Sequence, residues 1–219
     1  MAFPQGSIPG IDVSHNQSAV DWAKAAHAGE IFAFAKATEG VSGTGSQDAY
    51  FYDNWQGMKA GGVLRGAYHY YRANDDPQAQ ADNFLAALTK ANGNTAVLAA
   101  GDLPVALDLE VTLGVAPTAI LAGIAIWLEV IAKATGRVPL IYTYPSFWKS
   151  IGNPRILAEY PLWIAEYGVA KPVPIGAWTA WTFWQFDCKD TMSCVTGGVP
   201  IDMNAFQGSM AGLNALAGL

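Results

Sequence analysis

Two acids stand two residues apart in an otherwise apolar stretch: Asp108 and Glu110, among Val105, Leu107, Leu109 and Val111. In an extended strand, residues i and i+2 point to the same side, ~6.6–6.8 Å apart along the chain. Asp108 and Glu110 therefore share a face, and Leu107 and Leu109 take the other. Asp12, in Gly10-Ile11-Asp12-Val13-Ser14, and Asp202, in Pro200-Ile201-Asp202-Met203-Asn204, add two more carboxylates. All four are read at or near the C-terminal ends of predicted strands. A set of this kind suits glycoside hydrolysis, in which one carboxyl group must stay protonated near neutral pH to donate to the leaving oxygen. Crowding acids in a poorly solvated pocket raises the pKa of a member and keeps it protonated. Glu110 has the longer reach and is the choice for general acid. A D-x-E pair by itself arises often by chance, and each acid has the plain alternative of a solvated strand end or a helix cap.

The elements that must carry these acids are legible as alternation. Segments rich in β-branched, aromatic or small apolar residues recur at 10–14, 31–38, 63–72, 104–110, 138–144, 161–167, 181–187 and 200–206, often bounded by Gly, Pro or Asn. Amphipathic patterns fall between them at 19–28, 48–60, 77–91 and 118–135, the last opened by Pro117-Thr118 and stopped by Gly136. Strand and helix in alternation imply parallel pairing with helices outside, and eight strands suggest closure. The spacing breaks down after residue 145, where little more than turns fits between strands. The expected fold is α/β: an irregular TIM-like barrel of five β/α units followed by three strands with few helices. No linker or repeat divides the chain, so residues 1–219 are expected to form a single catalytic domain and a monomer.

Composition narrows the partners. Of 219 residues 52% are hydrophobic and 14% charged, with a net charge of -6. Mean hydropathy is +0.18 and the pI about 4.9. So few charges point to a large core, and the absence of a Lys/Arg cluster argues against a nucleic-acid partner. No run reaches ~18 apolar residues free of charge, so no membrane span is expected. The first nine residues lack the basic start and apolar stretch of a secretory signal. His15, His27 and His69 do not form a spaced ligand set, and neither metal nor cofactor is expected.

The same residues, taken in order, resemble glycoside hydrolase family 25, the Chalaropsis-type lysozymes or N-acetylmuramidases. The resemblance runs through Gly10-Ile11-Asp12-Val13-Ser14, Gln17, Trp22, Phe34-Ala35-Lys36-Ala37-Thr38-Glu39-Gly40, Asp48, Phe51 and Asn54. It continues with Gly66-Ala67-Tyr68-His69-Tyr70, Ala106-Leu107-Asp108-Leu109-Glu110, Leu162-Trp163-Ile164-Ala165-Glu166-Tyr167, Trp184-Gln185-Phe186 and Asp202-Met203-Asn204-Ala205-Phe206. It implies a barrel of the irregular kind read above. It also implies cleavage of the β-1,4 bond between N-acetylmuramic acid and N-acetylglucosamine in peptidoglycan, with net retention. Glu110 would be acid/base, and Asp108 would polarise the substrate's own 2-acetamido group. Asp12 and Asp202 would keep the pocket's charge balance and hydrogen bonds. A direct Asp nucleophile stays open. Without a signal, the protein would be released from a host cytoplasm as a phage-type endolysin or secreted as a mature form.

Sugar platforms are expected from Tyr68, Tyr70, Tyr142, Trp163 and Trp184, with Trp22, Phe34 and His69 as core. Lys36 and Glu39 are either a structural ion pair or substrate contacts. Cys188 and Cys194, in an insertion between strands seven and eight, are expected to close a hairpin as a disulfide, with two free thiols as the alternative. The tail after Phe206 is expected to end in a helix packed on the barrel. Two rival functions remain. A chitinase-like hydrolase would show more acids before Glu110, where Pro104 and Ala106 stand instead. A non-catalytic glycan-binding barrel would have no need of the four acids.

Overall fold

In a computed structural model, which describes residues 3–41 and 46–219, eight strands close into a barrel in sequence order. The strands are β1 (Ile8–Val13), β2 (Phe32–Glu39), β3 (Leu64–Tyr70), β4 (Ala106–Asp108), β5 (Leu140–Thr143), β6 (Leu162–Ala165), β7 (Phe183–Asp190) and β8 (Ile201–Phe206). Pairing from β1 through β7 is parallel. β8 runs antiparallel to both β7 and β1, because only a 3-10 turn, Thr196–Gly198, lies between β7 and β8. A parallel return needs a crossover of a dozen or more residues, and none is available there.

Helices α1 (Trp22–His27), α2 (Phe51–Gly61), α3 (Pro77–Ala91), α4 (Pro117–Thr135) and α5 (Pro145–Ser150) follow the first five strands, and α6 (Met210–Leu216) ends the chain. Asp21 caps α1 by accepting from the Lys24 amide, so this helix starts three residues later than its pattern suggests. α4 ends at Gly136 in the left-handed conformation, φ 66°. α5, only six residues long, has no periodic signature to read. α4 has the length and hydropathy to cross a membrane. In this fold its Ile120, Ile124, Trp127, Leu128 and Ile131 are buried, and Trp127 stacks on His69 of β3.

The period of two along each strand divides the apolar residues into two cores. On β2, Ala33, Ala35 and Ala37 face the helices, joined there by Trp22, Trp55, Phe84, Trp127 and Leu107. Phe32 and Phe34 fill the barrel with Leu140, Trp163, Phe183 and Phe206. Small residues make room for the two phenyl rings. A Cβ at Gly10 would lie 2.6 Å from the Phe32 ring, and one at Gly66 would collide with the Phe34 ring. α6 buries Leu213 beneath this inner core, as expected of the tail.

The expected Cys188–Cys194 disulfide is not present: both thiols are free. Cys188 is part of β7 itself, whereas Cys194 is buried in the outer core. The carbonyl of Cys194 accepts from the Asp21 amide at 2.9 Å, and Val195 bridges to Val20. The segment is tied to the entrance of α1 rather than across its own hairpin.

Candidate active site

The barrel filling stops one layer short of the end where the parallel strands finish, and polar residues occupy that layer. They surround a hollow of about 280 Å³ lined by Asp12, Lys36, Tyr68, Tyr70, Asp108, Glu110, Tyr142, Trp163 and Asp202, together with Ser14, Asn16, Tyr167 and Gln185. Strand register sets the positions. Asp12 pairs with Asp202, Tyr70 with Asp108, Asp108 with Tyr142, and Tyr142 with Trp163. Asp202 is the second residue of β8, not its end. The reversed direction of β8 is what brings it to the same mouth as the other three acids.

Of the nine residues named for catalysis or sugar contact, eight line this hollow and Trp184 does not. Trp184 points outward, is 2% exposed, and donates its indole N–H to the Glu166 carbonyl at 2.8 Å. Its neighbour Gln185 takes the inward place, as alternation on β7 requires. His69 is core, as expected. It is fully buried, with Nδ1 2.7 Å from Thr38 Oγ1 and Nε2 3.1 Å from Gln80 Oε1, and burial pushes its pKa down to about 4.

Asp12 is 5% exposed and held by two amides: Gln185 Nε2 and Asn204 Nδ2 each donate to its Oδ2 at 2.7 Å. Both amides are themselves fixed. Tyr142 Oη donates to Gln185 Oε1 at 2.9 Å, Tyr167 Oη donates to the same oxygen, and Trp163 Nε1 donates to Asn204 Oδ1 at 2.8 Å. Burial raises the Asp12 pKa well above the ordinary carboxylate value and Asp202 raises it further, while the two amides oppose. Gln185, Asn204 and Tyr167 enter the sequence reading only as parts of motifs. Their signal was the same period of two, because 185 shares a face with 183, and 204 with 202.

Asp108 is 4% exposed, and its Oδ1 has no hydrogen-bond partner among the described residues. Burial raises its pKa well above the ordinary value, and so does Glu110, by charge and by a shared proton; Lys36 opposes. Glu110 is raised by burial and held back by Asp108 and Lys36. The pair therefore keeps a proton to higher pH than a solvated carboxyl would. Asp202 is pushed up to about 6 by burial, Glu110 and Asp187. Lys36 lies 2.7 Å from Glu39 and 4.8 Å from the Tyr70 ring centre, and Arg72 makes a second 2.7 Å contact with Glu39. The ion pair is thus structural at Glu39, and its lysine also lines the hollow. β5 latches the far side. Thr143 Oγ1 donates to the Leu109 carbonyl and Tyr144 Oη to that of Glu110, each at 3.0 Å. Among the described residues no group of three or more His, Cys, Asp or Glu is placed to hold a metal.

Known proteins show the same architecture. The chain is 33% identical to a solved bacterial lysozyme from Streptomyces coelicolor, with a TM-score of 0.86 over 97% of this chain and 98% of that one. It is 35% identical to lysozyme M1 of Streptomyces globisporus over 96% of this chain and 71% of the relative. It is 32% identical to the N,O-diacetylmuramidase of Chalaropsis over 82% of this chain and 87% of that one. The sequence model of Glycosyl hydrolases family 25 matches residues 11–195. With a match of that extent over a barrel of the same form, the chain belongs to glycoside hydrolase family 25.

Proposed function

We propose that this glycoside hydrolase is a lysozyme that cuts the β-1,4 bond between N-acetylmuramic acid and N-acetylglucosamine in bacterial peptidoglycan, with retention. The observation that carries the mechanism is the Asp108–Glu110 pair lining one hollow: a buried Asp108 with an unpartnered oxygen beside a half-buried Glu110, each raised above the ordinary carboxyl range. A 2-acetamido N–H of the bound sugar is the donor that Asp108 Oδ1 lacks. Accepting that hydrogen bond favours the carboxylate form of Asp108 and transfers the shared proton to Glu110. Glu110 then donates it to the leaving oxygen as the glycosidic bond breaks. The acetamido oxygen attacks the anomeric carbon from the opposite face, giving an oxazolinium ion stabilised by Asp108. Glu110, now a carboxylate, takes a proton from water, which opens the ring at the same carbon and restores the original configuration. Asp12, fixed by Gln185 and Asn204, and Asp202 lend negative charge to the oxocarbenium-like transition state.

Glu110→Gln tests this reading. The amide keeps the shape and cannot donate, so turnover of peptidoglycan should fall at least ~100-fold with an unchanged melting temperature. Near wild-type rates from the folded variant would remove Glu110 from the mechanism.

A further inference from the structure

Trp163 lines the hollow and yet is only 1% exposed. Its ring stacks on Phe34 at 4.5 Å between centroids, and Tyr142 and Tyr68 meet it edge-on at 4.7 and 6.2 Å. A ring covered in this way has no face to offer a sugar. Its one polar atom, Nε1, reaches across the barrel from β6 to β8 and donates to Asn204 Oδ1 at 2.8 Å. We propose that Trp163 is a positioning residue for the reaction: acting through Asn204, it keeps Asp12 in the carboxylate form that the charged transition state needs. The inference rests on the muramidase reading above for the reaction it serves, and adds to it what fixes the charge of Asp12.

Chemistry decides which way round the Asn204 amide stands. An indole N–H can only donate, so the atom facing Trp163 must be the amide oxygen. The NH2 group is then turned to Asp12 Oδ2 at 2.7 Å and to the Asp202 carbonyl at 3.3 Å, both acceptors. Turning the amide over would set N–H against N–H at Trp163 and oxygen against oxygen at the other two contacts. Asn204 is fully buried, so bulk water cannot make up the loss. The amide is therefore unable to turn and follow a proton onto Asp12. A neutral carboxyl is best served by an amide free to present its oxygen to the new O–H, whereas a locked N–H favours the anion. Gln185 Nε2 adds a second N–H to the same Oδ2, which leaves only Oδ1 to take a proton without losing a bond.

A lock is needed because most of what surrounds Asp12 favours the neutral acid. Burial raises its pKa, and Asp202 on β8 and Glu110 just beyond β4 raise it further. Asp108 on β4 faces it too, and Tyr68, Tyr142 and Tyr167 are phenols whose ionisation the Asp12 charge opposes. Lys36 on β2 is the cation lining the same hollow, and its Nζ is held 2.7 Å from Glu39. The two amides are what opposes protonation of Asp12. Of these, only Asn204 is held by a group that cannot reverse its hydrogen bond, since the tyrosine hydroxyls on Gln185 are able to accept as well as donate.

Trp163→Phe keeps an aromatic ring and removes the donor. Should the smaller ring leave the barrel unstable, replacing Trp163 with benzothienylalanine, which carries sulfur in place of the N–H, does the same with both rings intact. Two readouts apply to either protein. The Asp12 carboxyl is titrated by carbon NMR in aspartate-labelled protein, its resonance identified by its absence from Asp12→Asn, and the pH dependence of kcat/KM is measured on purified peptidoglycan. Loss of the lock should raise the Asp12 midpoint by about one pH unit and carry the acid limb of kcat/KM up with it, about a tenfold fall on that limb and little change on the plateau. A midpoint or an acid limb that stays in place in the folded variant would overturn the inference, and so would a rate lowered equally at every pH. The NMR midpoint needs no substrate, so a wild type that leaves peptidoglycan intact would fail the muramidase reading alone, and the two failures cannot be confused.

Discussion

All four carboxyls in this mouth are raised by burial, and Asp12, Asp108 and Asp202 further by neighbouring acids, so changing any one should be read through its effect on the rest. Asp108→Asn removes the negative charge that polarises the acetamido N–H and stabilises the oxazolinium ion, as well as the ionisable partner of Glu110. It should lower kcat by about 100-fold or more, the scale of losing a group that stabilises charge in the transition state. A wild-type kcat in Asp108→Asn would end the substrate-assisted route and leave a direct nucleophile to be sought. Asp202→Asn makes a different point. Glu110 raises Asp202 by like charge; repulsion between two carboxylates acts on both, so the amide should let Glu110 lose its proton at lower pH. The alkaline limb of kcat/KM should move down by roughly half a unit to one unit, a typical effect of removing one nearby charge. No shift, or a shift upward, in the pH profile would show that Asp202 does not act on the acid electrostatically.

Elements explain why some of these residues could be read in the chain and others could not. Asp12, Asp108 and Glu110 declared themselves because each strand alternates and apolar neighbours frame them. Asp202 declared itself by motif, but its place at the start of β8 follows only from the antiparallel return, which depends on there being no crossover helix. Trp184 was assigned to the wrong face: an aromatic near a strand end can point either way, and only the register that puts Gln185 against Asn204 decides. The cysteines could not be paired from spacing, since the hydrogen bond that fixes Cys194 goes to Asp21, more than 170 residues earlier in the chain. Alkylation of native protein should therefore label half-exposed Cys188 quickly and buried Cys194 slowly, with two adducts after unfolding without reductant. Failure to find both adducts would restore the disulfide. The loop entering β2 carries a further test. Glu30 is buried, its Oε2 lacks a hydrogen-bond partner among the described residues, and burial lifts its pKa from 4.5 to about 7. The folded state then keeps a proton that the unfolded chain has released between those values. This contribution is present in full below about pH 4.5 and is lost as pH rises through 7. Glu30→Gln should stabilise the fold by roughly 1–3 kcal/mol at pH 8 and by little at pH 4.5. Equal denaturant midpoints for the two proteins at pH 8 would mean that the carboxyl is solvated after all.

At the scale of the molecule, the barrel separates its tasks by height. Aromatic and aliphatic side chains fill the interior below, acids and their amide partners close the upper layer, and helices cover the outside. The catalysis proposed runs on protons and fixed charge alone, so exhaustive chelation should leave activity intact, and a loss restored only by added metal would contradict it. The most direct test of the central proposal is the bond itself. Peptidoglycan digested with the protein, reduced with borohydride and analysed by mass spectrometry should yield fragments ending in reduced N-acetylmuramic acid. Fragments ending in reduced N-acetylglucosamine, or none at all from active protein, would contradict the muramidase assignment.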